Sequence, residues 1–130
     1  MSQPLATVCL SKLHRVTVTE ANLDYVGSIT IDKDLLDASG LFKNMLVKIN
    51  NIRNGISWET YILEGEPGKG HIKLNGPPAN HFQPGDIVII LGYVQLPLNE
   101  AKETGGPTVV LVDADNKITE VRKGWVPEGA

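Results

Sequence analysis

Short apolar segments rich in β-branched residues, separated by turn signals, constrain the fold of this chain more than any other feature. Branched side chains favour strands because they pack well on a pleated surface. The strongest turn signal is Asn54-Gly55, since both central residues of a type I′ hairpin turn need a positive φ. The segments predicted to form strands are residues 16–19, 28–31, 45–52, 60–63, 72–74, 87–91 and 109–112. This pattern predicts a mainly β domain, a small barrel of roughly six to eight strands, rather than a βαβ sheet.

Helical patterns are confined to two short segments. Residues 34–39 have acidic residues near their start and are followed by Gly40, which is typical of a short helix with a glycine just past its end. Residues 97–102 predict another turn or two of helix. The 130 residues have the size of one domain, and residues 124–130 are predicted to be a frayed tail.

The composition argues against several classes of function. The chain has 12 Lys and Arg against 15 Asp and Glu, and only two Trp, three Tyr and two Phe. A nucleic-acid binder normally has a basic excess or an aromatic platform, so we expect no nucleic-acid partner. Cys9 is the only cysteine, and His14, His71 and His81 lack the spacing of metal ligands. We therefore expect no disulfide within the chain and no metal.

The sequence shows no targeting or membrane segment. Its first ten residues lack the basic region and long apolar run of a secretory signal. The longest apolar stretch, residues 87–91, is far shorter than the ~20 residues that span a bilayer. We therefore expect a cytoplasmic protein with no membrane partner.

Gly27-Ser28 can be interpreted in two ways. The ordinary interpretation is a serine that begins a strand after a glycine-assisted turn. The chemical interpretation is self-cleavage, in which glycine permits a strained backbone and the Ser28 hydroxyl attacks the Gly27 carbonyl. The resulting ester can eliminate to dehydroalanine, which hydrolyses to a pyruvoyl group. The dipeptide is common, so it decides nothing by itself.

Several short motifs in a fixed order give Gly27-Ser28 its context. They need no insertion between residues 10 and 97, and as a set they closely resemble the bacterial aspartate 1-decarboxylase family, whose members depend on a pyruvoyl group. The motifs are Lys12-Leu13-His14-Arg15, Tyr25-Val26-Gly27-Ser28-Ile29-Thr30-Ile31-Asp32, Asn54-Gly55 with Thr60-Tyr61, Asn75-Gly76, and Gly85-Asp86-Ile87-Val88-Ile89-Ile90.

The resemblance implies a fold, a maturation and a reaction. The fold would be a double-psi β-barrel, and cleavage would give a short chain, 1–27, and a long chain, 28–130, that starts with a pyruvoyl group derived from Ser28. The reaction would be decarboxylation of L-aspartate to β-alanine and carbon dioxide in pantothenate biosynthesis. The family also implies a homotetramer with active sites between subunits, and leaves open the need for a maturation factor.

The same resemblance implies roles for individual residues. Tyr61 matches the proton donor, and Thr60 matches a residue that contacts substrate and assists cleavage beside Gly27. Lys12 and His14 match residues near the active site, with Lys12 a candidate for a substrate carboxylate. The pocket-lining loop matches Asn75, Gly76, Pro77 and Pro78. Taken alone, Tyr61 and Thr60 suit a barrel strand and Lys12 suits a solvated surface.

Two positions depart from the family pattern. Ser57 stands where the family has an arginine that grips a substrate carboxylate. Losing such a contact would cost about 1.5–3 kcal/mol of binding unless Lys12 or a neighbouring subunit compensates. A two-residue turn at Asn54-Gly55 would place Ser57 opposite Ile52 and aim Arg53 at the other face. At the second position, Pro77-Pro78 replaces small alanines and removes two backbone N–H donors.

These departures keep two alternatives open. The first is a pyruvoyl decarboxylase for another amino acid, which a substrate panel would reveal. The second is a barrel that is never processed, has no enzymatic activity and binds a ligand or partner. A single full-length band and no carbon dioxide release would support it.

Overall fold

The computed structural model describes residues 3–24 and 26–124, so Tyr25 and residues 125–130 lie outside the described residues, and with them most of the predicted tail. Two short helices, α1 (Lys33–Ser39) and α2 (Leu98–Ala101), and a 3-10 helix (Pro77–His81) accompany nine strands. The strands are β1 (Leu5–Thr17), β2 (Glu20–Asn22), β3 (Ser28–Asp32), β4 (Leu46–Asn51), β5 (Ser57–Gly65), β6 (Ile72–Asn75), β7 (Ile87–Pro97), β8 (Thr108–Val112) and β9 (Ile118–Lys123).

The sheet has the strand order β2-β6-β3-β5-β4-β7-β1-β8-β9, and this order requires it to curl. In a flat sheet, β2 and β1 would lie six strand spacings apart, or about 29 Å. Only Val18 and Thr19 separate them in the chain, a span of about 11 Å at most. The N–H of Val18 donates to the Asp86 carbonyl and that of Thr19 to the Ile72 carbonyl, both at 2.8 Å. The sheet therefore bends back on itself, as in a small β-barrel.

The inner face of this curled sheet forms the hydrophobic core. Alternate residues of each strand point inward, so β3 contributes Ile29 and Ile31, and its neighbour β6 contributes Ile72 and Leu74. All four side chains are fully buried. The residues between them point to the outer face, and this alternation places the candidate site.

The mainly β architecture is confirmed, and the helices lie where the sequence predicts them. Helix α1 begins after Asp32, whose carboxylate accepts from the Asp34 N–H at 2.8 Å, and ends at Gly40, which has φ 80°. Helix α2 falls within the predicted segment 97–102. The described residues hold nine strands instead of six to eight. The additional strands, β2 and β9, are rich in polar residues and carry no apolar run that predicts a strand.

The predicted turn at Asn54-Gly55 is wrong in detail. Gly55 has a positive φ of 72°, but Asn54 does not, so this is not a type I′ turn. Asn50 pairs with Ser57, and the Gly55 N–H donates to the Asn51 carbonyl at 2.8 Å across a longer loop. Ser57 therefore lies opposite Asn50 instead of Ile52. The Asn54 side chain explains the difference, because its carbonyl oxygen accepts from the Ile56 N–H and its amide donates to the His81 carbonyl.

The described residues include no helix long and apolar enough to cross a lipid bilayer.

Candidate active site

Ser28 lies on the outer face of the sheet, at the start of β3. Its neighbours on that face come from the flanking strands, because β3 pairs with β6 on one side and β5 on the other. Ser28 is directly opposite Asn75. The parallel register pairs Ile29 with Ile62, and one residue earlier it sets Ser28 level with Tyr61.

These residues line one cavity of about 290 Å³. Its wall is made by strands β2, β3, β5 and β6 and by the segment just before β3. The lining residues are Glu20, Val26, Ser28, Thr30, Tyr61, Leu63, Lys73 and Asn75. A space of this size holds an amino acid but not a large cofactor.

The Ser28 hydroxyl is held by a hydrogen-bond network at the base of the cavity. Ser28 is 1% exposed. The amide Nδ2 of Asn75 donates to Ser28 Oγ at 2.9 Å and to Thr30 Oγ1 at 3.1 Å. Ser28 Oγ in turn makes a long contact of 3.4 Å with the Val26 carbonyl oxygen. Asn75 therefore fixes the direction of the hydroxyl from β6.

Gly27 does not have the positive φ that would favour glycine. A Cβ added there would lie 4.0 Å from the Asn75 carbonyl oxygen, an ordinary contact. The fold therefore does not require glycine at this position for conformational or steric reasons. The absence of a side chain leaves the Gly27 carbonyl open to approach, which is a chemical advantage.

Tyr61 and Thr60 are adjacent on β5 but face opposite sides of the sheet. Tyr61 lines the cavity and is 36% exposed. Thr60 points toward the core side with Ile62 and is 8% exposed, so its side chain does not line the cavity. The register of β3 and β5 sets Thr60 level with Gly27. This position suits a role in cleavage better than contact with substrate.

The Asn75-Gly76-Pro77-Pro78 loop forms the start of the 3-10 helix. Gly76 has φ 82° and ψ −159°, a conformation that is essentially restricted to glycine, and its N–H donates to the Asn22 carbonyl at 2.7 Å. The two prolines occupy the first two helical positions, where backbone N–H groups have no partner within the helix. The absence of these two N–H groups therefore removes no hydrogen bond from this helix. Of this loop, only Asn75 lines the cavity, and the Pro78 side chain lies outside the described residues.

Arg53 cannot replace the arginine that is absent at Ser57, because it is bound elsewhere. Its guanidinium makes two bonds to the buried carboxylate of Asp86, Nε to Oδ1 at 2.7 Å and Nη2 to Oδ2 at 3.1 Å. This pairing holds the pKa of Asp86 below its usual value. Ser57 Oγ donates to Asn50 Oδ1 at 2.5 Å. Ser57 shares the outer face of β5 with Tyr61 but does not line the cavity.

Lys12 and His14 do not reach the Ser28 cavity of their own chain. Both lie on β1, which is four places from β3 in the sheet. Lys12 pairs with Leu91 and Val109, and His14 pairs with Leu111. His14 lines a separate cavity beside β8.

The sequence analysis missed two charged residues that line the Ser28 cavity, Glu20 and Lys73. They are register partners on β2 and β6, and Lys73 Nζ lies 3.6 Å from Glu20 Oε2. Glu20 lies just past the predicted strand 16–19, in a segment without a strand signal of its own, and Lys73 stands alone between apolar residues. Only the parallel pairing of β2 with β6, which are about 50 residues apart in the chain, brings them together.

Within residues 3–24 and 26–124, no group of three or more His, Cys, Asp or Glu residues comes together in a way that could hold a metal ion. The donor set at the cavity instead fits a small ketone derived from Ser28. Ser28 is buried beside one amide donor and shares the cavity with one phenol and one ammonium.

Comparison with known proteins identifies the family of this chain. The sequence model of the family described as aspartate decarboxylase matches residues 5–119. A protein from Pelotomaculum thermopropionicum, named aspartate 1-decarboxylase, is 50% identical over 95% of both chains. Proteins of the same name from Parabacteroides distasonis and Neisseria meningitidis are 55% and 53% identical over 85% and 88% of this chain, and over 96% and 90% of their own lengths. This chain therefore belongs to the aspartate decarboxylase family.

Proposed function

We propose that this protein is a pyruvoyl-dependent decarboxylase that converts L-aspartate to β-alanine and carbon dioxide, a step of pantothenate biosynthesis. The observation that carries the proposal is the Ser28 hydroxyl, which is buried, oriented by Asn75 and open to a cavity that Tyr61 shares. Relatives named aspartate 1-decarboxylase at 50–55% identity support the choice of substrate.

Maturation begins at the Gly27-Ser28 bond. Ser28 Oγ attacks the Gly27 carbonyl carbon, and the acyl group passes from nitrogen to oxygen. Elimination then releases residues 1–27 with a carboxylate and leaves dehydroalanine, which adds water and loses ammonia. Asn75 orients the hydroxyl for attack, and Thr60, which the extended register sets level with Gly27, would bind the Gly27 carbonyl.

The remaining residues bind substrate and move a proton. The pyruvoyl group of the processed chain would supply an electron sink for the pair that is released with carbon dioxide. Tyr61 donates a proton from its phenol to the carbon that has lost carbon dioxide. Leu63 and Val26 give the cavity an apolar wall, which favours departure of the carboxylate as a neutral molecule.

We further propose a cytoplasmic homotetramer in which neighbouring subunits complete each site. The Ser28 cavity opens on the outer face of the sheet, and Tyr61 on its wall is 36% exposed. Lys12 and His14 do not line the cavity of their own chain, so in this proposal any contact that they make with substrate comes from a neighbour. A small barrel with exposed edge strands also gains from burying them in an assembly.

The experiment that tests this proposal is an intact mass measured under denaturing conditions. We expect two fragments, 1–27 and 28–130, with the larger one lighter by one ammonia than a chain that starts with serine. Ser28→Ala should give one full-length mass and no release of carbon dioxide from aspartate, with an unchanged circular dichroism spectrum. Ser39→Ala, which changes another buried serine outside the cavity, should still process.

Three outcomes would contradict the proposal in different ways. Cleavage that persists in Ser28→Ala would remove Ser28 from maturation. A wild-type chain that stays full length and inactive, even in a cell extract that could supply a maturation factor, would support a binding protein. A processed chain that releases carbon dioxide faster from another amino acid than from aspartate would support a pyruvoyl decarboxylase with a different substrate. Ser57, in place of the family arginine, is the reason for testing this alternative.

A further inference from the structure

The Ser28 cavity contains one pair of opposite charges. Among the described residues that line it, Glu20 and Lys73 are the only ones with a formal charge. They lie 3.6 Å apart, longer than the 2.7–2.9 Å of a charge-assisted hydrogen bond. The Lys73 side chain is 31% exposed and that of Glu20 is 51% exposed. This loose, partly solvated pair contributes little to stability.

Lys73 lies near the part of the cavity that Ser28 and Asn75 line. It shares the outer face of β6 with Asn75, two residues away, which is about 7 Å along a strand. Asn75 contacts Ser28 directly, and Lys73 pairs across the sheet with Thr30, which also binds Asn75. The Lys73 ammonium lies beside Glu20 on β2, on the other side of β6 from β3, and both Lys73 and Ser28 line the same cavity. A change of rotamer would bring the ammonium to a carboxylate of a small molecule bound next to Ser28.

We propose that Lys73 binds the carboxylate that the substrate keeps, in place of the arginine that is absent at Ser57. This inference rests on the proposed function, and it deepens it by assigning the selection of a dicarboxylic amino acid to Lys73. A carboxylate that approaches within hydrogen-bond distance displaces Glu20, since Glu20 is held only at 3.6 Å. Glu20 acts as a competing anion that pairs with Lys73 before the substrate carboxylate binds.

The chemistry indicates which kinetic constant Lys73 affects. Decarboxylation removes the α-carboxylate, while the side-chain carboxylate stays unchanged from substrate to product. A contact to that group is equally strong in the ground state and in the transition state. Lys73 therefore lowers KM for aspartate and leaves kcat nearly unchanged.

Binding of succinate tests this role without relying on turnover. Succinate has two carboxylates and no amine, so it cannot condense with a ketone. We expect titration calorimetry with the purified wild-type protein and its variants to show about tenfold weaker succinate binding in Lys73→Gln, and near wild-type binding in Lys73→Arg. Glu20→Gln should bind succinate more tightly, because it removes the competing anion. Lys69→Gln, which removes an exposed lysine outside the cavity, is the control.

Kinetics on the same proteins separate this inference from the proposed function. With aspartate, Lys73→Gln should raise KM about tenfold with kcat little changed. Succinate that fails to bind the wild type, or binds Lys73→Gln equally well, overturns the role of Lys73. So does a Glu20→Gln variant that weakens binding as Lys73→Gln does. If succinate binds as expected but neither the wild type nor any variant releases carbon dioxide from aspartate, the proposed function is wrong and the carboxylate site at Lys73 is still supported.

Discussion

At the scale of single residues, Asn75 connects the parts of the candidate site. Its side-chain amide binds Ser28 and Thr30 on β3, and the next residue, Gly76, begins the turn into the 3-10 helix. One side chain therefore orients the hydroxyl that would be processed and defines the base of the cavity. The sequence suggests Asn75 only through a family motif, whereas the contacts supply a physical reason for an amide there.

Tyr61→Phe tests the proposed role of Tyr61 as the proton donor. Removing the phenol oxygen keeps the ring that packs in the cavity but leaves no acid to protonate the product carbon. We expect normal cleavage on a denaturing gel and a kcat for aspartate about 100-fold lower, in the usual range for a general acid. Steady-state kinetics on fully processed protein measure the change.

Tyr93→Phe is the matched control for Tyr61→Phe. Tyr93 lies on β7, is 40% exposed and lines a different cavity, so its phenol should not affect turnover. A Tyr61→Phe variant with the kcat of wild type and of Tyr93→Phe would show that another group supplies the proton.

At the scale of elements, a buried loop contact ties the β8–β9 hairpin to the start of β6. Asn116, in the turn between β8 and β9, accepts from the Thr17 N–H and donates to the carbonyls of Thr17 and Gly70, each at 2.8 Å. Gly70 has φ 69°, and a Cβ there would lie 2.5 Å from the Asp115 carbonyl oxygen. The close approach of two loops therefore requires glycine at this position.

Gly70→Ala should separate these two loops. The change combines an unfavourable backbone conformation with a clash against fixed backbone, so we expect the free energy of unfolding to fall by about 2–4 kcal/mol. Urea denaturation followed by circular dichroism measures it. Gly85→Ala is the control, because Gly85 has φ 95° but nothing within 4 Å of an added Cβ. Equal losses in the two variants would show that the clash adds nothing.

At the scale of the whole molecule, Asp86 joins segments that are distant in the chain. Its carboxylate binds Arg53, accepts from Asn51 Nδ2 at 2.8 Å and accepts from the Gln83 N–H at 3.0 Å. These contacts connect the end of β4, the loop before β5 and the start of β7. Because the side chain is buried, its charge is compensated entirely by these donors.

Asp86 should make the free energy of unfolding depend on pH in the acid range. The Arg53 guanidinium, followed by the other donors, keeps the pKa of Asp86 below its unfolded value, so folding favours the ionised form. The stabilisation is present above the unfolded pKa of about 3.9 and is lost as the pH falls through the folded pKa. Asp86→Asn should lower the free energy of unfolding by about 2–4 kcal/mol at neutral pH, and by less in acid.

Urea denaturation at several pH values measures the Asp86 effect. Asp37→Asn is the control, since Asp37 is 64% exposed and pairs with Lys33 on the surface of α1. If the loss of unfolding free energy in Asp86→Asn stays constant as the pH is lowered, the contact between Asp86 and Arg53 is not ionic.

The sequence by itself determined the class of the fold, the helices and the family. Strand propensity, turn residues and helix caps act locally, so residues 28–31 and 72–74, and the end of α1 at Gly40, can be predicted without knowing the fold. The ordered motifs also indicated Ser28, Tyr61 and Asn75. The structure places these three at one cavity.

Only the tertiary structure decided which residues share a site. Glu20 and Lys73 meet because β2 pairs with β6, and Thr60 leaves the cavity because strand alternation turns it inward. Arg53 is bound by Asp86, more than 30 residues further along the chain. Such contacts depend on long-range register, which local propensity does not encode, since a shift of one residue would exchange the two faces of a strand.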